Sequence, residues 1–576
     1  MAPPSLPLGM VAADPVIAVG ALFDTTPDTF FVSYKTLVKG LPAVNSPPRG
    51  IDAGTLKAYL HDGEEIALLD AREEVPFDAR HLLMAACLPL SRLEMLLAGA
   101  VPRNSVRTVW CDDGEGLAAT AADRTRALGY TNVSILQGGI AAWEAAGYRI
   151  YSGVHVPSKA FAEVVEHAAD TPWITAEELK ALIDSRADIA IFDSRSFDEF
   201  HGNSIPGAVS VPGAELVYRF ADMVRSPDTM VVVNCGGRTR SIIGAQALIN
   251  AGVPNKVVSL KNGTQAWHLA GYDVISGATA RHPAVSAAGH AAGRERAARV
   301  AARFGIQAID RQTLDRWRSE SGSRSLYVFD VRDPTEYAAG HIPGMKNVPG
   351  GQLVQETDRH VATWGARVVL VDDDGVRAVM TAHWMRQMGW DVAVMTVDMA
   401  AQGSETGPYR SKTLGLDGLA PPGIAVDVLK ARLDAGAVVV VDLDWSRDYR
   451  AGHVPGAWYA IRSRLAEVWR SLPSAAAIVF TSGDGTLARL AAAEWDGRAP
   501  APVFFLTGGT AAWAAAGLPL EKGASRMACP PDDIRLRARE QAGSVEDAMR
   551  AYLAWEIDLV NQMATDDDQR FRVIAH

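Results

Sequence analysis

Cysteine is scarce in this chain: four in 576 residues, at Cys87, Cys111, Cys235 and Cys529. They lie far apart and form no Cys-x-x-Cys pair. That pattern excludes a zinc cysteine cluster and a disulfide framework, and it suits a reducing compartment. Positive charge is also short. The formal net charge is −11 and no basic run offsets it, so a nucleic-acid-binding protein is not expected. No window holds eighteen uninterrupted apolar residues, so no membrane span is expected. The opening "MAPPSLPLGMVAADPVIAVGALFD" lacks a positive start and Asp14 breaks its apolar run, so it does not read as a signal peptide. The cytoplasm is the expected location.

What the chain has in quantity is repetition. Four segments match: "IALLDAREEVPFDARH", "IAIFDSRSFDEFHGNSIPGAVSVP", "YVFDVRDPTEYAAGHIPGMKNVP" and "VVVVDLDWSRDYRAGHVPGAW". Each has an apolar run ending in an aspartate, at Asp70, Asp193, Asp330 and Asp442. Arg72, Arg195 and Arg332 follow two residues later, while the fourth copy has Asp444. A second apolar run and a helix-like segment come next in every copy. A closing "GG..AAW" or "NGTQAW" then leads to Trp143, Trp267 and Trp513, and the third copy has lost it.

Short apolar runs alternating with helical patterns predict α/β domains, each a parallel sheet with helices on both faces. Repeats spaced this widely are duplicated domains with separate cores. The expected boundaries are 50–152, 153–280, 305–408 and 415–523. Residues 1–49 form an N-terminal extension matching no repeat, 281–304 a linker helix, and 524–576 a C-terminal helical tail. In that tail Ser544 and Asp547 are cap-like, and apolar positions 549, 552, 553, 556/557 and 560 predict a helix that docks on a domain or on a partner subunit, as in a homodimer.

Cys235 stands where the apolar run of "MVVVNCGGRTRS" gives out. In open parallel sheets ligands bind there, at the carboxyl ends of strands. Asp193 to Cys235 is 42 residues, and Cys235 to the helix-ending Gly252 is 17. The same count lands on Asp372 and Gly389 in the third copy, and on Asp112 and Gly129 in the first, one residue past Cys111. Anchoring on Trp143 instead would make Cys111 the match. The shortened fourth copy offers Thr481 or Ser482. The second domain is therefore expected to be catalytic and the first, third and fourth inactive.

The thiolate is the nucleophilic form, and a free cysteine near pKa ~8.5 is mostly protonated at neutral pH. Gly236 and Gly237 let the backbone curl so that N–H groups at a helix start converge on the sulfur. Arg238 and Arg240 add positive charge, and Thr239 and Ser241 add hydroxyls. Such a cradle predicts an acidified thiol and suits a thiolate, a persulfide or a small oxyanion. The expected roles are Cys235 as nucleophile, Arg240 and Arg238 as binders of an anionic substrate end, and Gly236, Gly237, Thr239 and Ser241 as the remaining wall.

The Asp-x-Arg…His-Ile-Pro-Gly segment, the cysteine loop and the closing Gly-Gly…Ala-Trp resemble the rhodanese-type sulfurtransferases, over nearly all of residues 50–523. The resemblance implies four rhodanese-like domains and a loop cysteine that takes the outer sulfur of thiosulfate. It implies a cysteine persulfide, release of sulfite, and transfer of sulfur to cyanide, a thiol (glutathione or thioredoxin) or a carrier protein, with no metal and no organic cofactor. The related phosphatases place five residues between cysteine and arginine; here four separate Cys235 from Arg240, and Ser241 holds the phosphatase arginine position. The loop matches neither the basic loop of thiosulfate enzymes nor the Cys-Gly-(Ser/Ala)-Gly-Val-Thr loop of mercaptopyruvate enzymes. Two arginines suit a dianion such as thiosulfate. A 3-mercaptopyruvate sulfurtransferase and a sulfur-carrying scaffold without turnover are the alternatives.

Elsewhere the expectations are structural. Cys111 reads as a strand-end packing residue whose pKa Asp112 and Asp113 raise, Cys87 as core, and Cys529 as an exposed, idle loop thiol. The Asp–Arg pairs are expected to pin strand ends. His201, His341 and His453 are read as turn residues and the three closing tryptophans as core anchors.

Overall fold

The computed structural model describes residues 47–574. The runs IAIFD and MVVVN become neighbouring parallel strands, Ile189–Asp193 and Met230–Asn234. They are apolar throughout because both of their faces are covered. Val231 and Val233 point into one core with Leu216 and Ile242. Val232 points into another with Leu179, Val258 and Trp267. Helices Glu215–Met223 and Thr239–Asn250 close the first side, Ala176–Asp184 and Gly263–Leu269 the second.

Four such sheets follow one another along the chain. The second has the order Trp173–Ile174, Val257–Leu260, Met230–Asn234, Ile189–Asp193, Val209–Ser210, all parallel. The third and fourth repeat that order with their own strands. The first departs from it. Thr363–Trp364, which comes from the third unit, adds antiparallel to Ile66–Ala67 and covers an edge of the first sheet. Within the described residues no helix is long and apolar enough to cross a membrane.

The strand register settles which residue of each unit stands at the same place. Asp193 pairs with Asn234, Asp70 with Cys111, Asp330 with Val371 and Asp442 with Thr481. The next residue in each unit is therefore Cys235, Asp112, Asp372 or Ser482. Cys111 aligns with Asn234, each the last residue of its strand. Of the two readings left open in the fourth unit, Ser482 is the match.

The repeated aspartates and arginines do one job three times. Arg72, Arg195 and Arg332 fold back on Asp70, Asp193 and Asp330, each guanidinium reaching a carboxylate oxygen at 2.7 Å. Each also donates to a carbonyl eight residues ahead, that of Arg80, Asn203 or Gly340. All three pairs are buried, so they brace the turn after the strand. His81, His341 and His453 stack on Phe77, Tyr337 and Tyr449. Trp143, Trp267 and Trp513 each donate an indole N–H to a carbonyl at 2.9 Å. These groups hold the units together.

One apolar core runs through the first three units and contains Leu68, Phe161, Val233 and Val368, while the fourth unit keeps a core of its own. Helix Val156–Ala169 lies within the shared core, and the tail helix Val545–Met563 packs on it. Ser544 caps that helix, accepting from the Asp547 amide at 3.1 Å. Its buried face is Met549, Leu553, Glu556, Leu559 and Met563. The predicted stripe needs correcting at its end: Ile557 is exposed, Glu556 faces inward, and Leu559 replaces Val560.

Candidate active site

Strand Met230–Asn234 ends one residue before Cys235, and helix Thr239–Asn250 begins four residues after it. The loop between them curls over the strand end. Amides in the first turn of a helix have no acceptor inside the helix, so they are free to face the slot at its start. The other units show what the slot accepts. Asp112 takes hydrogen bonds there from the amides of Gly114 at 3.1 Å and Ala118 at 2.9 Å. Asp372 takes them from Gly375 at 3.1 Å and Ala378 at 2.9 Å. Ser482 takes one from Ala488 at 3.3 Å. Three units thus fill the ring with an oxygen acceptor, and the second fills it with sulfur. There Sγ of Cys235 donates to Oγ of Ser241 at 3.5 Å, and Ser241 Oγ donates to the Arg238 carbonyl at 2.8 Å.

The ring is held from beneath by helix Gly263–Leu269. The amides of Thr264 and Gln265 donate to the carbonyls of Cys235 at 2.8 Å and Gly236 at 3.1 Å. Asn234 ties the loop to Asp193 and Thr264, at 3.1 Å each. A Cβ on Gly263 would meet the Cys235 carbonyl oxygen at 2.4 Å, which explains the glycine of the closing motif.

Both loop arginines are paired with acids. Arg238 is buried against Glu163, with both contacts at 2.7 Å, and also bonds Glu166 and, at 3.0 Å, Asn262. These contacts tie it to helix Val156–Ala169 and to the start of helix Gly263–Leu269. Burial pushes the Glu163 carboxyl up to about 7, against the pull of Arg238. Arg240 makes a two-point pair with Glu199, at 2.7 and 2.9 Å, and reaches Gln352 of the third unit at 3.0 Å. Burial opposes ionisation of Glu199, but Arg240 prevails and holds its carboxyl well below the usual range. Both arginines therefore shape the ring. Thr239 donates its hydroxyl at 2.5 Å to Glu556 of the tail helix. Gly236 and Gly237 are left to border the open space above.

The expected acidification of Cys235 also needs correcting. The thiol is 2% exposed, and burial pushes its pKa above the ordinary value. Arg240 and the Ser241 hydrogen bond pull it back, and the Glu556 carboxylate adds to the push. Burial dominates because desolvation disfavours the charged form. Below such a pKa the thiolate fraction grows about tenfold per pH unit. Alkylation of Cys235 by iodoacetamide is thus expected to keep accelerating through pH 9, and a plateau below pH 8 would show an acidified thiol instead. Glu556→Gln removes the adjacent negative charge while keeping an acceptor for Thr239. It is expected to speed alkylation at pH 7 by about two- to fivefold, and an unchanged or slower rate would remove Glu556 from the thiol's electrostatics.

The other cysteines fit no such setting. Cys111 is wholly buried, and burial raises its pKa well above the ordinary value. Cys87 is half-buried at the edge of a separate cavity of about 310 Å³, and burial raises it too. Cys529 is not an exposed loop thiol. It is buried in the fourth core, where the Ile461 amide donates to its sulfur at 3.3 Å.

A cleft of about 380 Å³ opens over Gly236 and Gly237, walled by Arg195 and Arg240 on one side and by residues 535–541 and Tyr552 of the tail on the other. A Cβ on Gly237 would stand 3.1 Å from both Tyr552 and Glu556. Nothing in the loop sequence announces these tail residues, nor Glu163, Glu166 and Glu199. The available signal was in "IRLRARE", an alternation of arginines just ahead of the amphipathic tail helix.

A family model for the rhodanese-like domain matches residues 52–146, 175–270, 311–401 and 425–516. Among solved structures the chain is similar to the thiosulfate sulfurtransferase from Pseudomonas aeruginosa. The two are 46% identical with a TM-score of 0.88, over 91% of this chain and 100% of that one. Among curated proteins it is similar to the putative sulfur carrier protein YrkF of Bacillus subtilis, 30% identical over 18% of this chain and 54% of that protein. It is also similar to the HTH-type transcriptional regulator Rv0324 of Mycobacterium tuberculosis, 28% identical over 20% of this chain and 56% of that protein. The chain spans roughly half the length of these curated relatives. With the family pattern matched in all four units, the chain belongs to the rhodanese-like domain family.

Proposed function

We propose that the chain is a sulfurtransferase that moves sulfane sulfur from thiosulfate, through a persulfide on Cys235, to a thiol, cyanide or a carrier protein, in the cytoplasm. The observation that carries this reading is the slot comparison. Of four equivalent positions, two hold a carboxylate and one a hydroxyl in the amide ring, and Cys235 alone puts a thiol there, next to the glycines that line a cleft. The first, third and fourth units are inactive on this reading and serve as framework.

The Cys235 thiolate attacks the outer sulfur of thiosulfate. The donor's S–S bond breaks, its electron pair leaves with sulfite, and Cys235 is left with a persulfide anion. An acceptor thiolate or cyanide then attacks the outer sulfur, the persulfide bond breaks, and the Cys235 thiolate returns. The amides of the loop and helix start stabilise the terminal sulfur, as those of Gly114 and Ala118 hold the Asp112 carboxylate in the first unit. No metal and no organic cofactor enters the scheme.

Intact-mass measurement after thiosulfate treatment tests it. A gain of one sulfur, about 32 Da, on the Cys235 peptide is expected. No gain, or a gain on Cys87 or Cys111, overturns the assignment. The kcat/KM for thiosulfate is expected to exceed that for 3-mercaptopyruvate on one preparation, and the reverse order would make the mercaptopyruvate reading the correct one.

A further inference from the structure

The loop arginines are spent on acids, yet a dianionic donor must be held over Cys235. The cleft walls carry the charge that is missing. Arg195 is paired with Asp193, Arg240 with Glu199 and Arg535 with Asp78. Arg537 and Arg539 line the same cleft, and among the described residues neither has an acidic partner in an ion pair. Burial, and then the like charge of Arg195, holds Arg539 below its ordinary pKa. Two like charges brought together beside an open space leave it short of an anion. The acids that line the cleft are already engaged: Glu199 pairs with Arg240 and feels Arg537 only as a further charge, and Glu540 pairs with Arg447 at 3.0 Å and accepts the Arg537 amide at 2.8 Å.

The segment that carries these arginines is fixed in place by units without a nucleophile. The Arg535 amide donates to Glu74 and its guanidinium pairs with Asp78 of the first unit, both at 2.9 Å. Asp533 accepts from the Ser446 amide at 2.6 Å and Glu540 pairs with Arg447, both in the fourth unit. The helix that follows lies against the Cys235 loop through Glu556 and Tyr552.

We propose that residues 535–541 complete the active site of the second domain, with Arg537 and Arg539 binding the anionic end of the sulfur donor. The first and fourth domains then act as the mount for this segment. The inference rests on the sulfurtransferase reading for the identity of the donor, but not for the presence of an anion site.

The test uses the full chain and two double variants, R537A/R539A and R537K/R539K. With thiosulfate and cyanide, the alanine pair is expected to raise the KM for thiosulfate by about ten- to thirtyfold with kcat changed by less than about threefold. The lysine pair is expected to restore most of the loss. A second readout needs no turnover: the rate at which Cys235 is alkylated by anionic iodoacetate relative to neutral iodoacetamide. That ratio is expected to fall about fivefold or more in the alanine pair and to recover in the lysine pair, with the iodoacetamide rate unchanged as the check on folding. An unchanged KM together with an unchanged alkylation ratio overturns the proposal. A wild-type chain that takes no sulfur from thiosulfate, but whose alkylation ratio still depends on these arginines, retains the anion site and loses the thiosulfate reading instead.

Discussion

Cys235→Ser is expected to lower thiosulfate-dependent sulfur transfer on the order of 10³-fold or more, with little change in thermal midpoint. The fold itself says that serine is tolerated in the slot. The fourth unit carries Ser482 at the equivalent place, and its hydroxyl accepts from the Ala488 amide in the first turn of the following helix at 3.3 Å. The substitution therefore removes the nucleophile and leaves the ring. Cys111→Ser runs the other way. Cys111 is wholly buried at the end of its strand, so a hydroxyl there costs about 1–3 kcal/mol of stability, while kcat per folded molecule stays near the wild-type value. Steady-state kinetics beside thermal denaturation separates the two effects. Comparable losses of kcat in both variants would mean that two sites work.

The repeat, the α/β class and the position of Cys235 at a strand end could all be read from the sequence, because each depends on residues close together in the chain. Asp193, Arg195 and the strands around them are local signals. The ambiguity over Cys111 was a one-residue register question, and the pairing of Asp70 with Cys111 answers it. The fate of the loop charges was not legible, because charge can be read from the loop but its partners cannot. Glu163, which takes Arg238, lies on a helix before the second sheet begins, and Glu556, which takes Thr239, lies on the tail. The direction of the Cys235 shift failed for a related reason. Glycines and arginines around a cysteine argue for an acidic thiol only if water also reaches it, and 2% exposure lets desolvation win. The tail's place beside the loop depends on contacts with three units far apart in the sequence, which no local pattern announces.

Gly263→Ala is expected to cost more than about 2 kcal/mol of stability and to lower kcat on the order of 10²-fold, although the residue carries no functional group. Its φ of +55° is one that a side chain disfavours, and an added Cβ would meet the Cys235 carbonyl at 2.4 Å and that of Gly237 at 2.7 Å. Those oxygens belong to the ring backbone and cannot swing aside as a side-chain tip would, so the ring must shift. The same clash exists twice more. Gly139 has a φ of +58° and a Cβ there would stand 2.3 Å from the Asp112 carbonyl; Gly509 has a φ of +62° and 2.0 Å to that of Ser482. Gly139→Ala and Gly509→Ala are therefore matched controls that distort rings holding no thiol. They are expected to lose similar stability and keep kcat. Equal losses of kcat in all three would mean that the ring around Cys235 has no special place in the reaction and that the damage spreads through the shared framework.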